Sequence, residues 1–175
     1  MKNIILIGMP GCGKSTFGKK LAEEMHREFY DADEVLVMRE HRTIADFFAE
    51  SEEAFRVAET RTLKYLAEMD GVIIATGGGA VTRPENMELL SKNGIVVFID
   101  RKPEKIYETI NDVVRPLLND DKLRLFKLYE ERIELYREHA TYIIGNNGSS
   151  EATVEKLVKY VRGELDEKNF SNERT

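Results

Sequence analysis

Apolar positions along the chain fall into short unbroken runs separated by longer stretches with a helical period. The runs are Asn3 to Gly8, Glu28 to Tyr30 ending at Asp31, Val72 to Ala75, Ile95 to Ile99 and Tyr142 to Ile144. They are rich in β-branched residues and mostly continuous rather than alternating, the mark of strands covered on both faces. Between them, Phe17, Leu21 and Met25 recur every four residues and predict a helix over 14–27. Further helices are expected over 43–48 with Thr43 as N-cap, over 51–69 starting at Ser51, and over 84–92 with Pro84 in the first turn. Others are expected from Pro103, over 123–139, and over 151–165. Strand and helix alternate, which predicts an α/β fold: a doubly wound, five-stranded parallel sheet in one domain spanning 1–175. The tail, 166–175, is polar and expected to fray.

In a sheet of this kind ligands bind beyond the carboxyl ends of the strands. Three such ends carry unusual residues: 8–15, 31–33 and 76–79. The first, Gly8-Met9-Pro10-Gly11-Cys12-Gly13-Lys14-Ser15, fits G-x-x-x-x-G-K-[ST], a P-loop. Its glycines let backbone N–H groups converge on phosphate oxygens, and the following helix aims its N-terminus at the same anion. The motif assigns Gly11, Cys12, Gly13, Lys14, Ser15 and Thr16 to nucleotide binding. Lys14 is expected on the β- and γ-phosphates and the Ser15 hydroxyl on Mg²⁺.

Charge and composition narrow the class. Twenty-six basic against 32 acidic residues give a net charge of −6, against the basic footprint of a nucleic-acid binder. Cys12 is the only cysteine, so no intrachain disulfide forms. The apolar run at Ile4 to Ile7 is too short for a signal peptide, and no stretch approaches the roughly 18 apolar residues of a membrane span. The expected location is the cytoplasm, and the expected state a monomer. No N-K-x-D or D-x-x-G of a GTPase is present. A small-molecule kinase suits the length.

Beyond the P-loop stand Asp31-Ala32-Asp33, Phe55-Arg56-Val57-Ala58-Glu59, Thr76-Gly77-Gly78-Gly79-Ala80-Val81, Val114-Arg115-Pro116-Leu117-Leu118 and Arg132-Ile133-Glu134-Leu135-Tyr136. In this order and spacing, over about 4–165, they resemble the shikimate kinases. The resemblance implies transfer of the γ-phosphoryl of Mg-ATP to the 3-hydroxyl of shikimate, a step toward chorismate and the aromatic amino acids. It implies a helical substrate-binding insert over about 32–60 and a mobile lid over about 111–122. Arg56 and Arg132 match the arginines that hold the substrate carboxylate, a task suited to planar guanidinium forks. Glu59, one turn after Arg56, is placed to orient it. Asp33 matches the aspartate at the substrate hydroxyls, and Asp31 the carboxylate near Mg²⁺. Gly78 centres a glycine turn whose N–H groups approach the γ-phosphate and a substrate hydroxyl. Arg115 matches the lid arginine that meets the developing phosphoryl charge. The catalytic set is thus Lys14, Asp33 and Arg115.

The chain departs from the family in three places. Tyr107-Glu108-Thr109 stands where a basic residue often stacks on adenine, Glu134 stands where proline is common, and Gly145-Asn146-Asn147-Gly148 only loosely matches the adenine loop. The histidines His26, His41 and His139 are scattered, and no Cys/His spacing suggests zinc. The competing expectations are a kinase of a related sugar acid such as gluconate, and a non-catalytic sensor of nucleotide or shikimate.

Overall fold

A computed structural model describes residues 1–109 and 121–163. Five strands, β1 (Asn3–Ile7), β2 (Phe29–Asp31), β3 (Ile73–Ala75), β4 (Gly94–Asp100) and β5 (Tyr142–Gly145), form one sheet in the order β2-β3-β1-β4-β5. Every pairing is parallel. The chain steps from β1 outward to β2, returns to β3, then passes β1 to reach β4. That reversal places a crevice at the carboxyl ends of β1 and β3.

The expected strands all form, within a residue or two at their ends. In β1, Ile4 to Ile7 are fully buried. Burying such a side chain stabilises the fold by roughly 1.5–3 kcal/mol. Asn3, at the start of the strand, is also buried, but both ends of its amide are used: Nδ2 donates to Met69 O and Oδ1 accepts from Val72 N. This ties β1 to the segment entering β3.

Helix α1 (Lys14–Met25) turns Phe17 and Leu21 inward, as their spacing predicts. Helix α2 (Ala32–Glu40) was not marked by its apolar pattern, because Val35 and Leu36 are buried while Met38 is exposed. It forms because Asp31 caps it, accepting from Asp33 N and Glu34 N, with Asp33 and Glu34 in its first turn and Arg39 in its last. Helix α3 (Ile44–Glu50) starts with the expected Thr43, which forms a reciprocal capping box with Asp46. Helix α4 (Glu52–Ala67) is capped by Ser51. These three helices enclose a small core of their own, Leu36, Phe47, Phe55 and Ala58.

Helices α5 (Pro84–Lys92), α6 (Pro103–Thr109), α7 (Asp121–His139) and α8 (Ser150–Val161) complete the described fold. His26 and His41 close α1 and α2 in the left-handed conformation, a role usually taken by glycine or asparagine. The lid over 111–122, including Arg115 and Pro116, lies almost wholly outside the described residues, as does the tail.

Candidate active site

The P-loop joins β1 to α1 and wraps the Lys14 side chain. Gly13 caps α1 with φ of 106°, a left-handed conformation that favours glycine. Lys14 is buried, and its Nζ donates to Gly8 O and Met9 O, both at 2.8 Å. The amine thus sits at the focus of the loop. The buried Asn146, at the end of β5, braces the loop from beneath: its Nδ2 donates 2.8 Å to Cys12 O, and its own N–H donates to Asp100 O. The sequence marked the 145–148 loop but not this bond. An asparagine just beyond a buried strand was the available signal.

Ser15 Oγ donates to Asp31 Oδ2 at 2.5 Å, while Oδ1 of the same carboxylate caps α2. Asp31 therefore links the phosphate loop to the next layer of helices. A hydroxyl and a carboxylate side by side suit a hard cation that prefers oxygen ligands and keeps several waters, so the donor set fits Mg²⁺. Among the described residues, no cluster of three or more His, Cys, Asp or Glu is arranged to hold a metal alone. The ion would need phosphate and water to complete its shell.

Beyond β3 the chain runs through Gly77-Gly78-Gly79 into a short 3-10 turn (Ala80–Thr82). The structure shows why side chains are excluded here. A Cβ on Gly77 would stand 2.8 Å from Glu59 Oε1 and 3.1 Å from Asp33 Oδ1. One on Gly79 would fall on the Arg56 guanidinium. Removing the Cβ atoms lets two carboxylates and a guanidinium close on one stretch of main chain.

Arg56 and Glu59 form a buried ion pair, Nη1 to Oε2 at 2.8 Å, with both side chains about nine-tenths or more buried. Glu52 adds a second, exposed carboxylate 3.5 Å from Arg56 Nη2. Glu59 Oε1 is buried without a hydrogen bond. Burial pushes the Glu59 carboxyl above its usual range, against the pull of Arg56. Asp33 is also pushed up, first by burial and then by the charge of Asp31; Lys14 and Arg56 pull it down by less.

Arg132, on α7, acts electrostatically on Glu59 and on Tyr136, one turn further along the same helix. The structure thus gathers Asp33, Glu59, Arg56, Arg132 and the glycine turn from four separate segments. Tyr136, a residue to which the motif gives no role, is fully buried and donates to Gly78 O. Glu134, the departure from the family's proline, lies on the exposed side of α7 paired with Arg137.

Comparison with known proteins agrees. The shikimate kinase family model matches residues 10–162. The chain is 41% identical to the shikimate kinase of Clostridium botulinum, covering 92% of this chain and 98% of that protein. It superposes on the shikimate kinase of Acinetobacter baumannii, solved in complex with shikimate, with a TM-score of 0.86 at 36% identity, covering 94% of each chain. The enzyme from Aquifex aeolicus gives 0.81 at 33% identity, covering 93% of this chain and 97% of that one. A family model that spans most of the chain, and relatives matched over almost their whole length, show that the chain belongs to the shikimate kinase family.

Proposed function

We propose that the protein transfers the γ-phosphoryl of ATP to the 3-hydroxyl of shikimate, giving shikimate 3-phosphate and ADP. One observation carries this reading: the glycine turn meets the P-loop at Pro10 on one side and Arg56 on the other, with Asp33 and Glu59 at Gly77. A phosphate site and an acid site therefore share one strip of main chain.

In this reading the loop amides of Gly11, Cys12, Gly13, Lys14, Ser15 and Thr16 bind the nucleotide phosphates, and Lys14 turns from the loop carbonyls to the β,γ-oxygens. Ser15, with Asp31 behind it, holds Mg²⁺, which when bound offsets phosphate charge. Arg56 and Arg132 grip the substrate carboxylate through charge-assisted hydrogen bonds. The Gly78 main chain lies between the γ-phosphate and the substrate. Asp33 accepts a hydrogen bond from the attacking hydroxyl. The hydroxyl oxygen bonds to γ-phosphorus, the bond to the β,γ-bridging oxygen breaks, and the hydroxyl proton passes to Asp33 or to the product phosphate. Arg115 brings further positive charge from the lid. Catalysis in this scheme is positioning and charge, as phosphoryl transfer requires. The net charge of −6 speaks against a nucleic acid as acceptor.

The test is ADP release from Mg-ATP with shikimate, with gluconate, and with no acceptor, using Asp33→Asn as the blank. Turnover that depends on shikimate and collapses in the variant is expected. Equal turnover with gluconate, or none with either acid despite ATP binding, overturns the reading.

A further inference from the structure

Tyr136 is among the largest fully buried side chains in the protein, yet it carries a hydroxyl. Its ring stacks on Phe98 of β4, with centroids 5.0 Å apart and planes 21° from parallel. Packing against a sheet strand fixes where the hydroxyl points. That point is the Gly78 carbonyl, at 2.5 Å, with the Met9 sulfur of the P-loop 3.9 Å away. Burial raises the phenol well above its ordinary range, so it stays protonated and able to donate.

The carbonyl it holds belongs to the peptide joining Gly78 to Gly79. In a trans peptide the carbonyl and the following N–H point in opposite directions. Fixing Gly78 O on Tyr136 therefore directs Gly79 N–H away from the buried ring. Gly79 lies against the Arg56 guanidinium and Gly78 against Pro10 of the P-loop. Two successive glycines leave this peptide free to rotate, since neither has a Cβ to restrict it. Main chain with that freedom needs an outside contact to hold one orientation.

We propose that the Tyr136 hydroxyl is a positioning group. It locks the Gly78–Gly79 peptide so that its N–H is presented beside Arg56 to the anionic end of the acceptor. Tyr136 touches neither substrate nor nucleotide in this role; it acts through the glycine turn. Its place on α7 one turn after Arg132 means that a single helix sets both an arginine of the acid site and the peptide opposite it. The inference rests on the acid-binding reading above, but the lock itself does not.

The test compares wild type with Tyr136→Phe, which keeps the stacked ring and removes only the hydroxyl. Phe98→Leu keeps the hydroxyl but loosens the stacked ring that aims it. In Tyr136→Phe we expect the shikimate KM to rise about tenfold, the ATP KM to stay within about twofold, and kcat to fall less than the shikimate KM rises. Phe98→Leu should lower the melting temperature and show the same split in weaker form. NMR of the ligand-free protein reads the lock directly. Loss of the hydroxyl should shift the Gly78 carbonyl carbon and broaden the Gly79 amide, whatever the acceptor proves to be. Wild type that fails to turn over shikimate sinks the acid reading while the NMR result still decides the lock. Unchanged Gly78 and Gly79 resonances, or shikimate and ATP KM values that rise together, overturn the proposal.

Discussion

In the proposed reading of the site, its phosphate side and its acid side are built by opposite means. The phosphate loop is one contiguous stretch, and its chemistry lies in main-chain geometry supported by apolar β1. Its single charge, Lys14, rests on carbonyls of its own loop. The acid side is assembled from β2 and α2, α4, the turn after β3, and α7, and its chemistry lies in buried side-chain charge. Its Arg56–Glu59 pair leaves one carboxylate oxygen without a partner. A contiguous loop keeps its shape by local rules. An assembled charge cluster keeps its shape only while distant segments stay in register.

The largest effect should come from the loop. Lys14→Met removes the one side-chain cation at its focus and should lower kcat by about 10³-fold, the scale of losing a strong charge-stabilising donor in a transition state. The shikimate KM should hardly change. Steady-state kinetics in both substrates checks this. A parallel loss of shikimate binding would show that the two sides are not separate.

On the acid side the first casualty should be stability. Glu59→Ala takes away the buried partner hydrogen-bonded to the Arg56 guanidinium and leaves the exposed Glu52 3.5 Å from it. Removing one partner of a buried pair costs about 3 kcal/mol or more. Chemical denaturation should show that loss, with a raised shikimate KM and a nearly unchanged ATP KM.

Asp33 gives the comparison a sign. Its carboxyl is held above the usual range by burial and by Asp31. A group raised in the folded state favours folding at low pH, and that contribution is lost as pH rises through the folded value. At neutral pH the ionised form is therefore a net strain on the fold. Asp33→Asn, which the proposed function expects to lose turnover, should be more stable than wild type at pH 7, and the gain should shrink as pH falls toward the ordinary carboxylate range. Thermal melts at pH 4 to 7 test it. A variant less stable than wild type throughout would mean that Lys14 and Arg56 outweigh burial.

The same contrast explains what could be read from the sequence. The P-loop was legible because its spacing alone encodes the backbone. The strands were legible because a strand buried on both faces must be continuously apolar. Arg56, Arg132 and Asp33 were singled out for the proposed acid site only by several ordered motifs taken together, since an arginine and a glutamate one turn apart are ordinary on a helix. Helix α2 fell inside the helical insert that the resemblance implied, but its apolar spacing did not mark it, because capping by Asp31 starts it. The hydroxyl of Tyr136 and the brace at Asn146 bond main-chain carbonyls far away in sequence, and nothing local announces such a partner.

If the acid side depends on distant segments staying in register, a small local loosening far from any charge should be felt there and not at the loop. Thr43 offers that case. It lies outside the site, and its capping box with Asp46 starts α3, which carries Phe47 into the small core with Leu36, Phe55 and Ala58. Phe55 directly precedes Arg56, and Ala58 directly precedes Glu59. Thr43→Ala should cost about 1 kcal/mol, the usual value of such a cap. The cost should fall on this core rather than on the one beneath the sheet. We expect faster amide exchange in α3 and a two- to threefold rise in the shikimate KM, roughly what part of 1 kcal/mol would give. The ATP KM should stay put, because β1 belongs to the larger core beneath the sheet and the loop is braced by Asn146, while α3 packs into the separate small core. An equal rise in both KM values would mean that the helices and the loop move as one body, and that the two sides differ in composition only.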